Sequence, residues 1–178
     1  MRRDVLFYRL FQQQPELLFE FLEQPPANAG EYQFGPMGIK EAKFEPDGVF
    51  LPPESDGSGV VYFCEVQFQK DKRLYERMFA ELFLFFHQNR ERYGDWQAVV
   101  IYPNRATEQE EVRPYRHLLE SEQVHQVYLN ELGNIRQLSM GMALMVLTIV
   151  GEREAPEEAV ICWNGLNGKS PIRSVVRP

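Results

Sequence analysis

Apolar positions recur along this chain with two different periods, and the change of period divides it into elements. Leu74, Tyr75, Met78, Phe79, Leu82, Phe85 and Phe86 fall three or four residues apart between Lys72 and Arg92, the spacing of a broad buried helical face. Tyr93-Gly94 closes that run. The same spacing over Asp4 to Phe11 and Pro15 to Leu22 predicts two short helices or one kinked helix, and Gln137 to Val150 predicts another. Trp96 to Tyr102, bounded by Gly94 and Pro103, is a short apolar run rich in β-formers, which predicts a central strand buried on both faces. Val124 to Leu132 predicts a further strand, Gln24 to Gly38 a Pro/Gly/Asn-rich connection, and Arg105 to Glu122 a charged, mobile segment. With a hairpin between the first and second helical regions, the predicted order is α, β, β, α, β, β, α.

That hairpin is the most informative stretch. Its arms are Glu41 to Leu51 and Val60 to Gln69, joined by the turn-forming cluster Pro52 to Gly59. Alternation puts Val61, Phe63, Glu65, Gln67 and Gln69 on one face and Tyr62, Cys64, Val66 and Phe68 on the other. If Leu51 pairs with Val61, then Val49 faces Phe63, Asp47 faces Glu65, Glu45 faces Gln67 and Lys43 faces Gln69. One face thus turns from apolar to wholly polar along its length. Directly opposed Cβ atoms lie ~5 Å apart, so Asp47 and Glu65 repel each other unless a cation stands between them.

Composition changes this picture only at its margins. The chain has 178 residues, 44% hydrophobic and 25% charged, which suits one globular domain. Its net charge of −7 opposes a polyanion unless basic residues gather locally or a cation intervenes. Cys64 and Cys162 fit neither a disulfide framework nor a zinc site and suggest a cytoplasmic protein. The apolar run Met140 to Val150 is about half a membrane span, so no membrane crossing is expected. After Glu158 periodicity stops; residues 1–158 read as the domain and 159–178 as an irregular tail, poorly ordered or docked through Trp163.

A helix, an antiparallel hairpin bearing Asp and then Glu-x-(Lys), a helix and a further strand resemble the core of the restriction-endonuclease-like fold, the PD-(D/E)xK superfamily. Pro46-Asp47 matches its first motif, and Glu65-Val66-Gln67 its second, with glutamine in the lysine position. Together with Gln69-Lys70-Asp71 and Leu74-Tyr75-Glu76-Arg77, the chain is similar to the bacterial recombination-promoting nuclease/transposase family, and more closely to its cyanobacterial branch of unknown function, from about Asp4 to Glu158. The resemblance implies an α/β domain with a mixed four-stranded sheet flanked by helices. It also implies metal-dependent DNA cleavage in recombination, transposition or defence.

In that pattern Asp47, Glu65 and the Val66 carbonyl would hold Mg²⁺, with Mn²⁺ as second choice. The cation would supply an activated water and neutralise charge at phosphorus. Gln67, standing for the lysine, can only hydrogen-bond, and Lys43 on the same predicted face would bring a positive charge. Gln69, Lys70, Lys72, Arg73, Tyr75 and Arg77 would meet DNA phosphates, and Glu16 or Glu20 would add a carboxylate from the N-terminal helices. Other readings compete with each of these. Glu65, Gln67 and Gln69 would also suit an ordinary hydrated strip, and Tyr75 a core aromatic. His87, His117 and His125 share no metal-ligand spacing. The competing function is a non-catalytic binding module that kept the fold; a third is an adaptor that self-associates, as a homodimer, through its apolar helices.

Overall fold

The computed structural model describes residues 3–35, 47–54 and 59–150. Helix α1 (Arg3–Gln13) is followed by a 3₁₀ segment (Pro15–Phe21) and by strands β1 (Gln33–Gly35), β2 (Gly48–Leu51) and β3 (Val60–Val66). Helix α2 (Leu74–Gln88), β4 (Asp95–Tyr102), the short α3 (Arg116–Leu119), β5 (Val124–Tyr128) and α4 (Met140–Leu147) complete the order. One five-stranded mixed sheet runs β1-β2-β3-β4-β5, with antiparallel pairing from β1 to β3 and parallel pairing from β3 to β5.

The protein is therefore α/β, as the alternation of periods predicts, but with five strands instead of four. The extra strand, β1, lies in the stretch read as a connection; three residues are too few to display a period, and their place comes from pairing with β2. Phe34 of β1 lies so close over Gly48 that an added Cβ there would sit 2.3 Å from its ring, so a side chain at this position would push the edge strand away. Two further expectations are corrected. Pro15–Phe21 winds as a 3₁₀ segment, and the Arg105 to Glu122 region is a series of short 3₁₀ turns followed by α3. Within that region Gln109 is buried, and its Oε1 accepts a hydrogen bond from the Tyr75 amide at 3.0 Å. It thus closes one of the donors that every helix start leaves open, here that of α2.

Both faces of the sheet are covered, so β3 and β4 are buried along most of their length. Tyr62 and Cys64 of β3 join Phe7 and Phe11 of α1, Leu17 to Phe19 and Met145 of α4 in one core. Val61 and Phe63 join Leu74, Tyr75, Met78, Phe79, Leu82 and Phe85 of α2 in the other. No helix among the described residues is long and apolar enough to cross a membrane.

Candidate functional site

The register of the hairpin is the one the apolar pattern requires: Val49 pairs with Phe63 and Gly48 with Cys64. Continued by one residue, it brings Asp47 opposite Glu65 on the face covered by α2. Asp47 turns its carboxylate onto the neighbouring strand, where Oδ2 accepts the Val66 amide at 2.8 Å. The Gln67 amide instead donates to the Ile101 carbonyl at 2.9 Å, so β3 stays paired to β4 on its other edge. The Val66 amide and carbonyl both face the Asp47 side, because successive residues of a strand present their peptide groups to opposite edges.

Helix α2 completes the cluster. Arg77 bonds through Nη2 to Glu65 Oε1 and through Nη1 to Asp71 Oδ2, each at 2.7 Å, and its Nε stands 3.8 Å from Glu81 Oε1. Glu65 is 8% exposed and Glu81 2%, and Glu81 Oε1 has no hydrogen-bond partner. Burial first, and then the Asp47 charge, push the Glu65 carboxyl up to about 7 against the opposing pull of Arg77. Burial likewise raises Glu81 to about 7, Arg77 lowering it and Asp47 raising it again. Burial alone would lower the Arg77 pKa, but its bonds to Asp71 and Glu65 outweigh that and keep the guanidinium firmly protonated. Cys64, on the opposite face of β3, has its thiol raised by burial and then by Asp47 and Glu65, which makes it an inert core group.

The donors around Glu65 are all oxygens, the chemistry that suits a hard divalent cation. Among the described residues no three Asp, Glu, His or Cys side chains are grouped as the ligands of one ion, and the positive charge beside Glu65 is the Arg77 guanidinium. The set therefore fits such a cation by donor chemistry, with Arg77 as counter-charge in its absence.

The remaining sequence-predicted residues divide clearly. Gln67 is half-buried and its side-chain amide donates to the Gln69 carbonyl, while Gln69 itself is exposed. Lys70 pairs with Glu110, Arg73 with Glu76 at 2.7 Å, and Lys72 is exposed. Tyr75 is corrected outright as a phosphate contact. It is fully buried, and its hydroxyl accepts from Tyr102 at 2.8 Å and from Gln126 at 2.7 Å, so it has no surface to offer a substrate. Glu16 and Glu20 sit on the 3₁₀ segment whose apolar residues join the α1 core, and Glu20 interacts with Ser139, away from α2. Lys43 lies outside the described residues. Glu81 was not singled out by the sequence reading, although it shares a buried stripe with Leu74, Met78 and Phe85 at helical spacing, where a carboxylate is out of place.

No curated protein and no solved structure matches this chain. One family does, described as "Protein of unknown function (DUF2887)", over residues 3–172, which reaches beyond the Asp4 to Glu158 stretch of the resemblance. Since the match spans nearly the whole sequence, this chain belongs to the DUF2887 family.

Proposed function

We propose that this protein is a divalent-cation-dependent DNA endonuclease of the PD-(D/E)xK type, hydrolysing phosphodiester bonds in recombination, transposition or defence. The observation that carries the reading is the side-by-side placement of Asp47 and Glu65 under α2. Two neighbouring carboxylates, one of them 8% exposed and pushed up to about 7, are a poor choice for stability and a good one for charge chemistry. The site also lies near the carboxyl end of β3, the edge at which open α/β sheets present their ligand sites.

In this reading Asp47, Glu65 and the Val66 carbonyl hold Mg²⁺ or Mn²⁺, and the bound cation supplies a water activated at neutral pH and neutralises charge at phosphorus. Asp47 is oriented by the Val66 amide, Glu65 by Arg77. Gln67 offers a hydrogen bond where the pattern has a lysine. The exposed Lys70, Lys72 and Arg73 follow β3 directly and supply local positive charge against the global −7; their surface ion pairs are weak enough for a phosphate to replace.

The test is cleavage of supercoiled plasmid by the purified full chain, with Mg²⁺, with Mn²⁺ and with chelator, beside Asp47→Ala. Nicking or linearisation that needs the cation and Asp47 is the expected result. No cleavage with either cation, or equal cleavage by Asp47→Ala, would overturn it. The Glu65 to Arg77 bond at 2.7 Å favours a second reading, in which Glu65 is a structural partner and the chain is a binding module that kept the fold. Glu65→Gln separates the two. The nuclease reading expects the cation-free variant to be at least as stable as wild type, because the repulsion from Asp47 is gone. A clear loss of stability would support the binding module.

A further inference from the structure

We infer that Glu81 supplies a third carboxylate oxygen to a cation held at Asp47 and Glu65, an inference that rests on the metal-dependent reading above. Its Oε1 is buried without a hydrogen-bond partner, on a side chain 3% exposed, and the nearest cationic atom, Arg77 Nε, is 3.8 Å away, beyond hydrogen-bond reach. Buried polar atoms nearly always find a partner, and a native exception points to a group that belongs there when the site is loaded. Burying an unsatisfied carboxylate also costs stability, which packing alone does not explain.

The direction in which Glu81 faces is given by its neighbours. It interacts electrostatically with Asp47 and with Glu65, so one turn of α2, a strand start and a strand end all bring carboxylates to one place. Arg77, one turn earlier on α2, currently holds the position between them by bonding Glu65. Its second bond, to Asp71, gives the guanidinium a place to remain once a cation takes over the neutralisation of Glu65 and Glu81. A helix residue thus supplies the carboxylate that the sequence reading sought in Glu16 or Glu20.

The test is Mn²⁺ titration of the full chain, with free Mn²⁺ read by electron paramagnetic resonance and melting temperature read in parallel. Wild type, Glu81→Gln, Glu81→Met and Asp47→Ala are compared. Wild type should bind one ion, Asp47→Ala should not, and both Glu81 variants should bind about tenfold or more weakly, since affinity follows the number of charged ligands. Their cation-free melting temperatures should equal or exceed that of wild type, while the Mn²⁺-induced rise shrinks. The methionine fills the same space without polar atoms and serves if the amide is not accommodated. Unchanged Mn²⁺ affinity in both Glu81 variants, with Asp47→Ala still defective, would overturn this inference and leave the metal-dependent reading standing. No Mn²⁺ binding by wild type, or binding unaffected by Asp47→Ala, would overturn both.

Discussion

Two polar clusters lie on the α2 side of the sheet, one around Glu65 and one around Tyr75, and they are built on opposite principles. Around Tyr75 every group is neutral or satisfied. Its hydroxyl meets Tyr102 and Gln126, Gln126 and Tyr128 both donate to Glu108 at 2.7 and 2.8 Å, and Gln109 bonds the Tyr75 amide and the Glu111 carbonyl. Tyr102 and Tyr128 stack, with the Arg105 guanidinium 4.2 Å over the Tyr128 ring. Around Glu65 four carboxylates, Asp47, Glu65, Asp71 and Glu81, share one guanidinium, and one oxygen has no partner. A complete polar network fixes the fold; an unbalanced one at the same depth stores a cost that only a ligand removes. The contrast is what marks the Glu65 cluster as the place where function resides.

The sharpest way to break the contrast is to remove the single cation. Arg77→Gln leaves Glu65 and Glu81 buried without counter-charge and should cost about 3 kcal/mol in chelator, toward the low end for a broken buried pair because Arg77 is itself one-third exposed. Urea denaturation measures it, and millimolar Mn²⁺ should restore much of the loss by binding the native state. A loss below ~1 kcal/mol, or one that Mn²⁺ leaves untouched, would mean that the carboxylates are not held against their charge.

The next effect is in pH. Glu65 and Glu81 titrate near 7 in the folded protein, against 4.5 for an unperturbed glutamate. The folded state therefore keeps protons that the unfolded chain has released, so these two groups make stability fall as pH rises from about 4.5 through 7 and level off above, by at most ~1.4 kcal/mol per pH unit for each group. His125, which burial holds below its usual value, and Asp71, held down by the Arg73 amide and Arg77, act in the opposite sense. The readout is consequently the difference between wild type and Glu81→Gln across pH 5 to 8. The variant should gain on wild type with rising pH, and a gap that narrows instead would contradict the assignment.

Tyr75→Phe tests the other side of the comparison. It leaves the Tyr102 hydroxyl and the Gln126 amide short of one partner and should cost about 1–2 kcal/mol, with no dependence on divalent cation. A cation-dependent loss would show that the two clusters are coupled.

How far the sequence reaches follows the same division. The Asp47 and Glu65 juxtaposition was legible because it needs only a two-residue period and one apolar pairing, Val49 with Phe63, and both are local. Glu81 was legible in principle, since a charge sits on an apolar helical stripe, but the eye passes over one acid among Met78, Leu82 and Phe85. The Tyr75 network was not legible. Its partners stand 27 and 51 residues further along the chain and meet only because β4 and β5 run parallel, and nothing in the motif Leu74-Tyr75-Glu76-Arg77 distinguishes a core tyrosine from a phosphate contact. Strand β1 was hidden for the simplest reason, its length of three residues.

The smallest expected effect on stability is also the most discriminating for substrate. Lys70 pairs with Glu110 across side chains 48% and 78% exposed, and Arg105 pairs with Glu131 across 66% and 43%. Exposed pairs contribute roughly 0–1 kcal/mol, so Lys70→Ala should leave the urea midpoint almost unmoved. Arg105→Ala should do little more, through its lost contact with the Tyr128 ring. Their effects on DNA should differ. If phosphates are held beside the Glu65 cluster, Lys70→Ala should weaken DNA binding and reduce the dependence of log K on log salt by about one, whereas Arg105→Ala, beside the satisfied tyrosine network, should change neither. Titration of labelled duplex at several salt concentrations gives both slopes from one set of experiments. Equal slopes for wild type and Lys70→Ala would remove Lys70 from the proposed DNA path, and a larger change for Arg105→Ala would move that path to the carboxyl ends of β4 and β5.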